Sequence, residues 1–282
     1  MIEHYLGISA ALGAALFFSL SRILVRLGLR DGYVNQAHYT SVLLNNVCLW
    51  PVAAIYTYIY GQTPSLISLA VFLAAGIFAT GLGRLLTFTT LKTMTATEST
   101  PFVSVSPLFA TLIAILLLGE TATPRIIVGT VLVVGGLLAV SNLKEHVFRL
   151  SILTGLTASF FYSLGEALRK YGTTLTPNPP AGAAIGSLAA LAFLPFYRNH
   201  ASNQITRNKF FFMSGISTSA ALLLVFVAYA LTPLVIAVPL INTSPLFTIV
   251  LSLLIARKTE NFKLQVIAGC LTVMLGILLI VV

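Results

Sequence analysis

The sequence predicts an all-α integral membrane protein, with ten transmembrane helices arranged as two inverted five-helix repeats. Three observations predict it. Charged residues make up 8% of the chain and apolar ones 57%, whereas soluble domains carry about 25% charged residues, so this chain cannot build a water-exposed surface. Ten apolar segments are each near the length of roughly 20 residues that a membrane-spanning helix needs. The sequence also repeats itself, and an internal repeat decides architecture before any other signal is weighed.

The ten segments are 6–28, 38–60, 66–90, 96–118, 125–142, 149–171, 181–197, 210–231, 234–256 and 264–282. The first carries no basic stretch ahead of it and no small-residue cleavage site, so it reads as a retained helix, not a signal peptide. Gly61-Gln62-Thr63-Pro64 separates the second and third segments, and Pro177-Asn178-Pro179-Pro180 separates the sixth and seventh. The longest polar gap, Arg198–Lys209, is too short for a soluble domain. Cys48 and Cys270 lie inside apolar runs, where cysteine packs as a small hydrophobe.

The repeat is carried by two blocks in the same order. Phe17-Phe18-Ser19-Leu20 corresponds to Phe161-Tyr162-Ser163-Leu164, and in that register Arg22 falls on Glu166, Arg26 on Lys170 and Gly28 on Gly172. Pro101 and Ser106-Pro107-Leu108-Phe109 correspond to Pro239 and Ser244-Pro245-Leu246-Phe247, with Gly129 and Gly136 answering Gly269 and Gly276 further on. The halves are expected at 1–146 and 147–282. Five spans per half is an odd number, so the second half must enter the membrane from the opposite side. Such inverted repeats place a substrate site near the midplane, between the halves.

A net charge of +9 could suggest a nucleic-acid partner, but the basic residues are scattered singly in short loops. That pattern fits anionic headgroups and topology control, and nucleic acid is not expected as a partner. With Arg22 and Arg84 set aside as lying inside helices, one side carries Arg26, Arg30, Lys92, Lys144, Arg149, Arg198, Arg207, Lys209, Arg257, Lys258 and Lys263, and the other Arg125, Arg169 and Lys170. By the excess of Lys and Arg on cytoplasmic loops, both termini are expected outside the plasma (inner) membrane.

Pro107-Leu108, Leu116-Leu117-Leu118-Gly119-Glu120, Gly129 and Gly135-Gly136 together resemble the end of an EamA repeat of the drug/metabolite transporter superfamily. The resemblance extends over both halves. It implies a central cavity lined mainly by helices 1, 3, 4, 6, 8 and 9, with helices 5 and 10 peripheral. It also implies a transporter, since relatives export amino acids and other metabolites or exchange nucleotide sugars and triose phosphates. Two departures stand out. Leu254-Ile255-Ala256-Arg257-Lys258-Thr259-Glu260 lacks the Gly-Glu of its counterpart, and ten-helix members of the superfamily have cytoplasmic termini.

Candidate substrate-binding residues are Arg22, Arg84, Glu98, Ser104, Tyr162, Asn242 and Ser244. An ionisable group at membrane depth is costly and faces a cavity or a partner. Arg22 and Arg84 therefore read either as a basic pocket for a carboxylate or phosphate, with Glu98 as counter-ion or gate, or as side chains snorkelling to headgroups. Arg84 follows Gly81-Leu82-Gly83, where glycines allow close helix approach. Glu166 reads either as a proton-coupling carboxylate or as a local partner of Arg169 or Lys170 one helical turn on.

Ser104, Ser106, Asn242, Thr243 and Ser244 lie near prolines, which free carbonyls for a cavity or ligand. A ligand contact and an interhelical hydrogen bond are equally open for Asn242. Tyr162, Tyr229 and Phe18 either stack on a substrate ring or pack, while Asn45 and Asn46 are expected to bridge helices. Pro101, Pro107, Pro239 and Pro245 are expected to be structural. So is Glu120, just ahead of helix 5, where a carboxylate favours a helix N-terminus.

No metal-ligand spacing, nucleophile elbow or phosphate-gripping Gly-Lys-Ser/Thr loop is present. The reading is therefore not an enzyme, with no cofactor, and a secondary transporter (an exporter or exchanger) of a small metabolite such as an amino acid or organic anion. A flippase for a phosphate-bearing lipid carrier is the neighbouring alternative. A non-transporting receptor or membrane-embedded enzyme is the alternative from another class. The expected partners are the lipid bilayer, a small-molecule or lipid-phosphate substrate and a coupling proton.

Overall fold

A computed structural model of the chain describes residues 2–28, 34–83, 86, 105–140, 149–192, 195, 208–244, 246–248, 251 and 264–281. Every regular element among them is helical. In chain order these are α1 (Ile2–Gly28), α2 (Val34–Tyr60), α3 (Leu66–Ala75), α4 (Ser106–Leu118), α5 (Pro124–Val140), α6 (Arg149–Leu175), α7 (Pro179–Leu191), α8 (Lys209–Leu231), α9 (Leu234–Ile241) and α10 (Leu264–Val281). Helix α3 runs straight on into π-helical turns at Gly76–Gly83. Among the described residues, four helices are long and apolar enough to cross a membrane, at Ile2–Val25, Gln36–Tyr60, Leu66–Gly83 and Lys209–Leu231.

Local chemistry sets the joints. Ser65 caps α3 by accepting the Ser68 N–H. Asn178 caps α7 at Ala181 N–H, ahead of two prolines whose missing N–H groups cost nothing in the first turn. The same Asn178 donates to Thr57 Oγ1 at 2.8 Å and to the Gln62 carbonyl at 2.7 Å, so α7 is tied to the far end of α2. Asn208 caps α8 and donates to the Gly28 carbonyl at 3.0 Å, which ties α8 to the end of α1. Gly119 closes α4 in the left-handed region at φ 67°, a conformation glycine reaches without penalty.

The packing repeats in both halves. Helix α1 packs on α8 and α9, and α6 packs on α3 and α4, its counterparts in the other half. Three pairs of equivalent helices meet each other across the halves: α2 with α7, α4 with α9, and α5 with α10. The last pair is antiparallel. A Cβ on Gly129 would sit 2.8 Å from the Gly276 carbonyl oxygen, and one on Gly136 would sit 2.6 Å from that of Gly269. As numbers rise along α5 they fall along α10, with Val133 and Val273 at the centre. The largest core cluster gathers around α9, whose residues Leu234–Ile241 are all buried.

Candidate functional site

Serines set the rotation of the two helices that carry the candidate site. In α1, Ser19 Oγ donates to the Ser244 carbonyl at 2.5 Å, facing the α9 segment. Ser21 Oγ shares hydrogen bonds of 2.8 Å with Ser214 and Thr218 on α8. Successive side chains on an α-helix turn by about 100°, so Phe18 and Arg22 emerge between these two contacts, toward the interior of the bundle. Helix α6 repeats the arrangement. Ser163 Oγ donates to the Ser106 carbonyl on α4 at 2.8 Å, and Tyr162 and Glu166 take the places of Phe18 and Arg22.

Arg22 has an exposed side chain, yet it lies on the face of α1 that carries the fully buried Ala15 and Ala11, seven and eleven residues back. A lipid-facing arginine is open on one flank. An arginine accessible on the buried face of its helix opens on an internal cleft. Tyr162 holds the equivalent place to Phe18 on α6, with its ring against Gly83 of the π-helical turns. Of the two readings of Arg22, the geometry favours the cleft over snorkelling.

Glu166 is engaged by the protein itself. One carboxylate oxygen accepts from Arg169 Nη1 at 3.1 Å and the other from the Tyr229 hydroxyl. Arg169 is buried, donates through Nη2 to Thr80 Oγ1 at 3.3 Å and lies 5.6 Å from the Phe226 ring centroid. Its Nε has no hydrogen-bond partner among the described residues. Among the described residues this is the one ion pair. It links α6 to α8 and to the π-helical turns. A buried charge pair holds best when its remaining donors and acceptors are also met; here Tyr229, Thr80 and Phe226 supply all of that shell but the Nε donor.

Lys170 does not join Glu166. Its Nζ donates to the carbonyls of Tyr229 and Thr232, at 2.6 and 3.0 Å, where α8 ends. Glu120 differs from expectation in its target: it accepts the N–H groups of Leu234 and Val235, at 2.8 and 3.0 Å. It therefore caps α9, not the adjacent α5. The physical reason is the turn at Gly119, which ends α4 beside the Pro233 elbow, where two orphan N–H groups at the positive end of α9 wait for an acceptor.

Asn242 forms interhelical and local bonds: Nδ2 donates to the Val238 carbonyl at 2.9 Å and Oδ1 accepts from Ser106 Oγ at 3.4 Å. Ser244 offers its carbonyl to Ser19 and to Thr248 Oγ1. Asn45 accepts from Ser219, and Asn46 donates to the Ser187 carbonyl, so both bridge helices. Tyr229 is fully buried, with no face left for a ring. Pro107 opens α4 and Pro239 lies within α9, both buried. Cys48 is a free thiol. Arg84, Glu98, Pro101, Ser104 and Pro245 lie outside the described residues.

Two partners escaped sequence reasoning, the Thr80–Arg169 bond and the Lys170 cap of α8. The signal available was three ionisable residues close together on α6. Nothing in the sequence says which helices they meet.

The sequence pattern of the EamA-like transporter family matches residues 5–142 and again 149–282. The chain belongs to the EamA-like transporter family. Membership makes it a multi-pass membrane protein of the drug/metabolite transporter superfamily, whose members are transporters rather than enzymes. No curated protein matches the chain. A solved crystal structure superposes on this EamA-like chain with a TM-score of 0.75 at 14% identity, covering 97% of this chain and 95% of that one. That likeness establishes the fold.

Proposed function

We propose that this EamA-like protein is a secondary transporter with ten membrane spans, moving a small polar metabolite by alternating access between inverted halves 1–146 and 147–282. One observation carries the reading: equivalent helices α5 and α10 cross antiparallel, Gly129 on Gly276 and Gly136 on Gly269. Symmetry mates that run antiparallel are related by a two-fold axis perpendicular to their length. For helices that span a bilayer, that axis lies in the membrane plane, the relation on which rocking of one half against the other depends. The accessible Arg22 on the buried face of α1, and Tyr162 on the equivalent face of α6, support a site at the interface of the halves.

Purified protein in liposomes should accelerate exchange of at least one compound from a panel of amino acids, organic anions, sugar phosphates and neutral sugars. Flux equal to that of empty liposomes for every compound would remove the transport reading. The plasma (inner) membrane is the proposed site, with both termini outside on the strength of the Lys and Arg distribution. Labelling a cysteine introduced at Asn203 from outside intact cells would overturn that orientation.

A further inference from the structure

We propose that the cleft beside Arg22 selects an anion, a carboxylate or a phosphate, whose apolar portion lies against Phe18 and Tyr162. The inference rests on the transport reading and narrows it to one class of substrate.

Three observations converge. First, the Arg22 side chain is accessible although it lies on the same face of α1 as the fully buried Ala11 and Ala15. An uncompensated guanidinium at membrane depth is costly, and an anion binding there offsets that cost with charge-assisted hydrogen bonds. Second, the direction of Arg22 is fixed. The bonds of Ser19 to α9 and of Ser21 to α8 hold α1 on either side of it, so the side chain is placed before a ligand arrives.

Third, among the described residues the charged groups of α6 nearest the repeat-equivalent position, and Glu120 at the end of α4, are already engaged. Glu166, the equivalent of Arg22 on α6, is held by Arg169 and Tyr229. Lys170 caps α8 and Glu120 caps α9. Among the described residues Arg22 forms no ion pair, so these residues present a net positive charge to the cleft. A zwitterion that needs a nearby carboxylate for its amino group finds none of these free to receive it. Phe18 is partly buried against the main core, and Tyr162 adds a second ring with a hydroxyl that can donate to the same anion.

A soluble metabolite and a lipid headgroup share this chemistry. The test uses thermal unfolding of the detergent-purified protein with succinate, benzoate and glycerol 3-phosphate, each beside a neutral counterpart. A second arm places the protein in nanodiscs of phosphatidylcholine with or without phosphatidic acid. The expected result is stabilisation by at least one anion and by no neutral counterpart. Arg22→Gln should weaken that binding about tenfold or more, and Arg22→Lys should largely restore it, a rescue that a packing defect would not show. Stabilisation only by phosphatidic acid keeps the anion and identifies the source as lipid.

Three results overturn the inference: no anion stabilises the protein, neutral compounds do so equally well, or the effect survives Arg22→Gln in a folded variant. Liposome flux separates the two levels. Transport of neutral compounds alone removes the anion and leaves the transporter, whereas no flux of any compound removes the transporter itself.

Discussion

Ser19 and Ser163 make the same hydrogen bond in opposite halves of the protein. Ser19 on α1 donates to the Ser244 carbonyl, and Ser163 on α6 donates to the Ser106 carbonyl. The donors are equivalent in the repeat, and so are the acceptors. Each bond crosses between halves, so each half holds the other by the same contact. Both hydroxyls also lie within hydrogen-bonding reach of carbonyls on their own helices, at Ala15 and Ser159, so the single proton of each can turn back if the halves move apart.

Removing either hydroxyl should therefore cost the same small amount. Ser19→Ala and Ser163→Ala are each expected to destabilise by about 0.6 kcal/mol, the mean for interhelical bonds in membranes. The two bonds share no partner, so the double variant should be close to additive. Equilibrium unfolding in mixed micelles reads this out. A loss of several kcal/mol from one serine alone would show that the halves are not held equivalently.

Glu120 and Lys170 grip the Thr232-Pro233 elbow from two sides, one at the start of α9 and the other at the end of α8. Glu120→Ala should cost about 1–2 kcal/mol, the usual range for a lost helix cap. Lys170→Met should cost a comparable amount, because it strips the donor from two buried carbonyls at the end of α8, one of which would look for its helical partner at Pro233, which has no N–H. Residues gripping one elbow should couple by more than about 0.5 kcal/mol in a double-mutant cycle. Strict additivity would mean that the elbow does not act as a unit.

Neighbouring glycines on α5 should behave in opposite ways. A Cβ at Gly136 would sit 2.6 Å from the Gly269 carbonyl oxygen and from Val273 Cγ2, whereas Gly135 has nothing within 4 Å. Gly136→Ala is expected to push α5 and α10 apart and cost about 1–3 kcal/mol. Gly135→Ala should be neutral or stabilising by up to about 1 kcal/mol. Thermal unfolding of the two variants side by side decides it. Equal tolerance at both positions would contradict the close α5–α10 crossing.

Glu166 and Arg169 form a buried pair, so breaking it from one side should cost more than neutralising both. Glu166→Gln leaves the Arg169 guanidinium buried without its counter-charge, at about 3 kcal/mol. Glu166→Gln with Arg169→Met should recover much of that loss. If Glu166→Gln instead leaves stability unchanged and abolishes proton-driven flux in liposomes, the carboxylate serves coupling and not structure.

Much of the architecture was legible in the residues. The scarcity of charge, the apolar segment lengths and the two repeated blocks point to a helical membrane protein in two equivalent halves, because the bilayer admits few other ways to satisfy the backbone. The repeat also anticipated which positions are equivalent, such as Gly129 with Gly269. It could not say that Gly129 packs on Gly276 instead, since that depends on how two helices cross.

The same limit governs the site. Arg22 stood out from the sequence because a charge inside an apolar run is rare and costly. Whether it reached a headgroup or a cleft depended on the rotation of α1, which Ser19 and Ser21 fix through partners more than 190 residues away. Glu166 could have been a free carboxylate, and Glu120 could have capped the helix beside it. Sequence determined that these charges lie in the membrane protein and in which order. Tertiary structure alone decided their partners, because contacts between distant helices carry no local pattern in the chain.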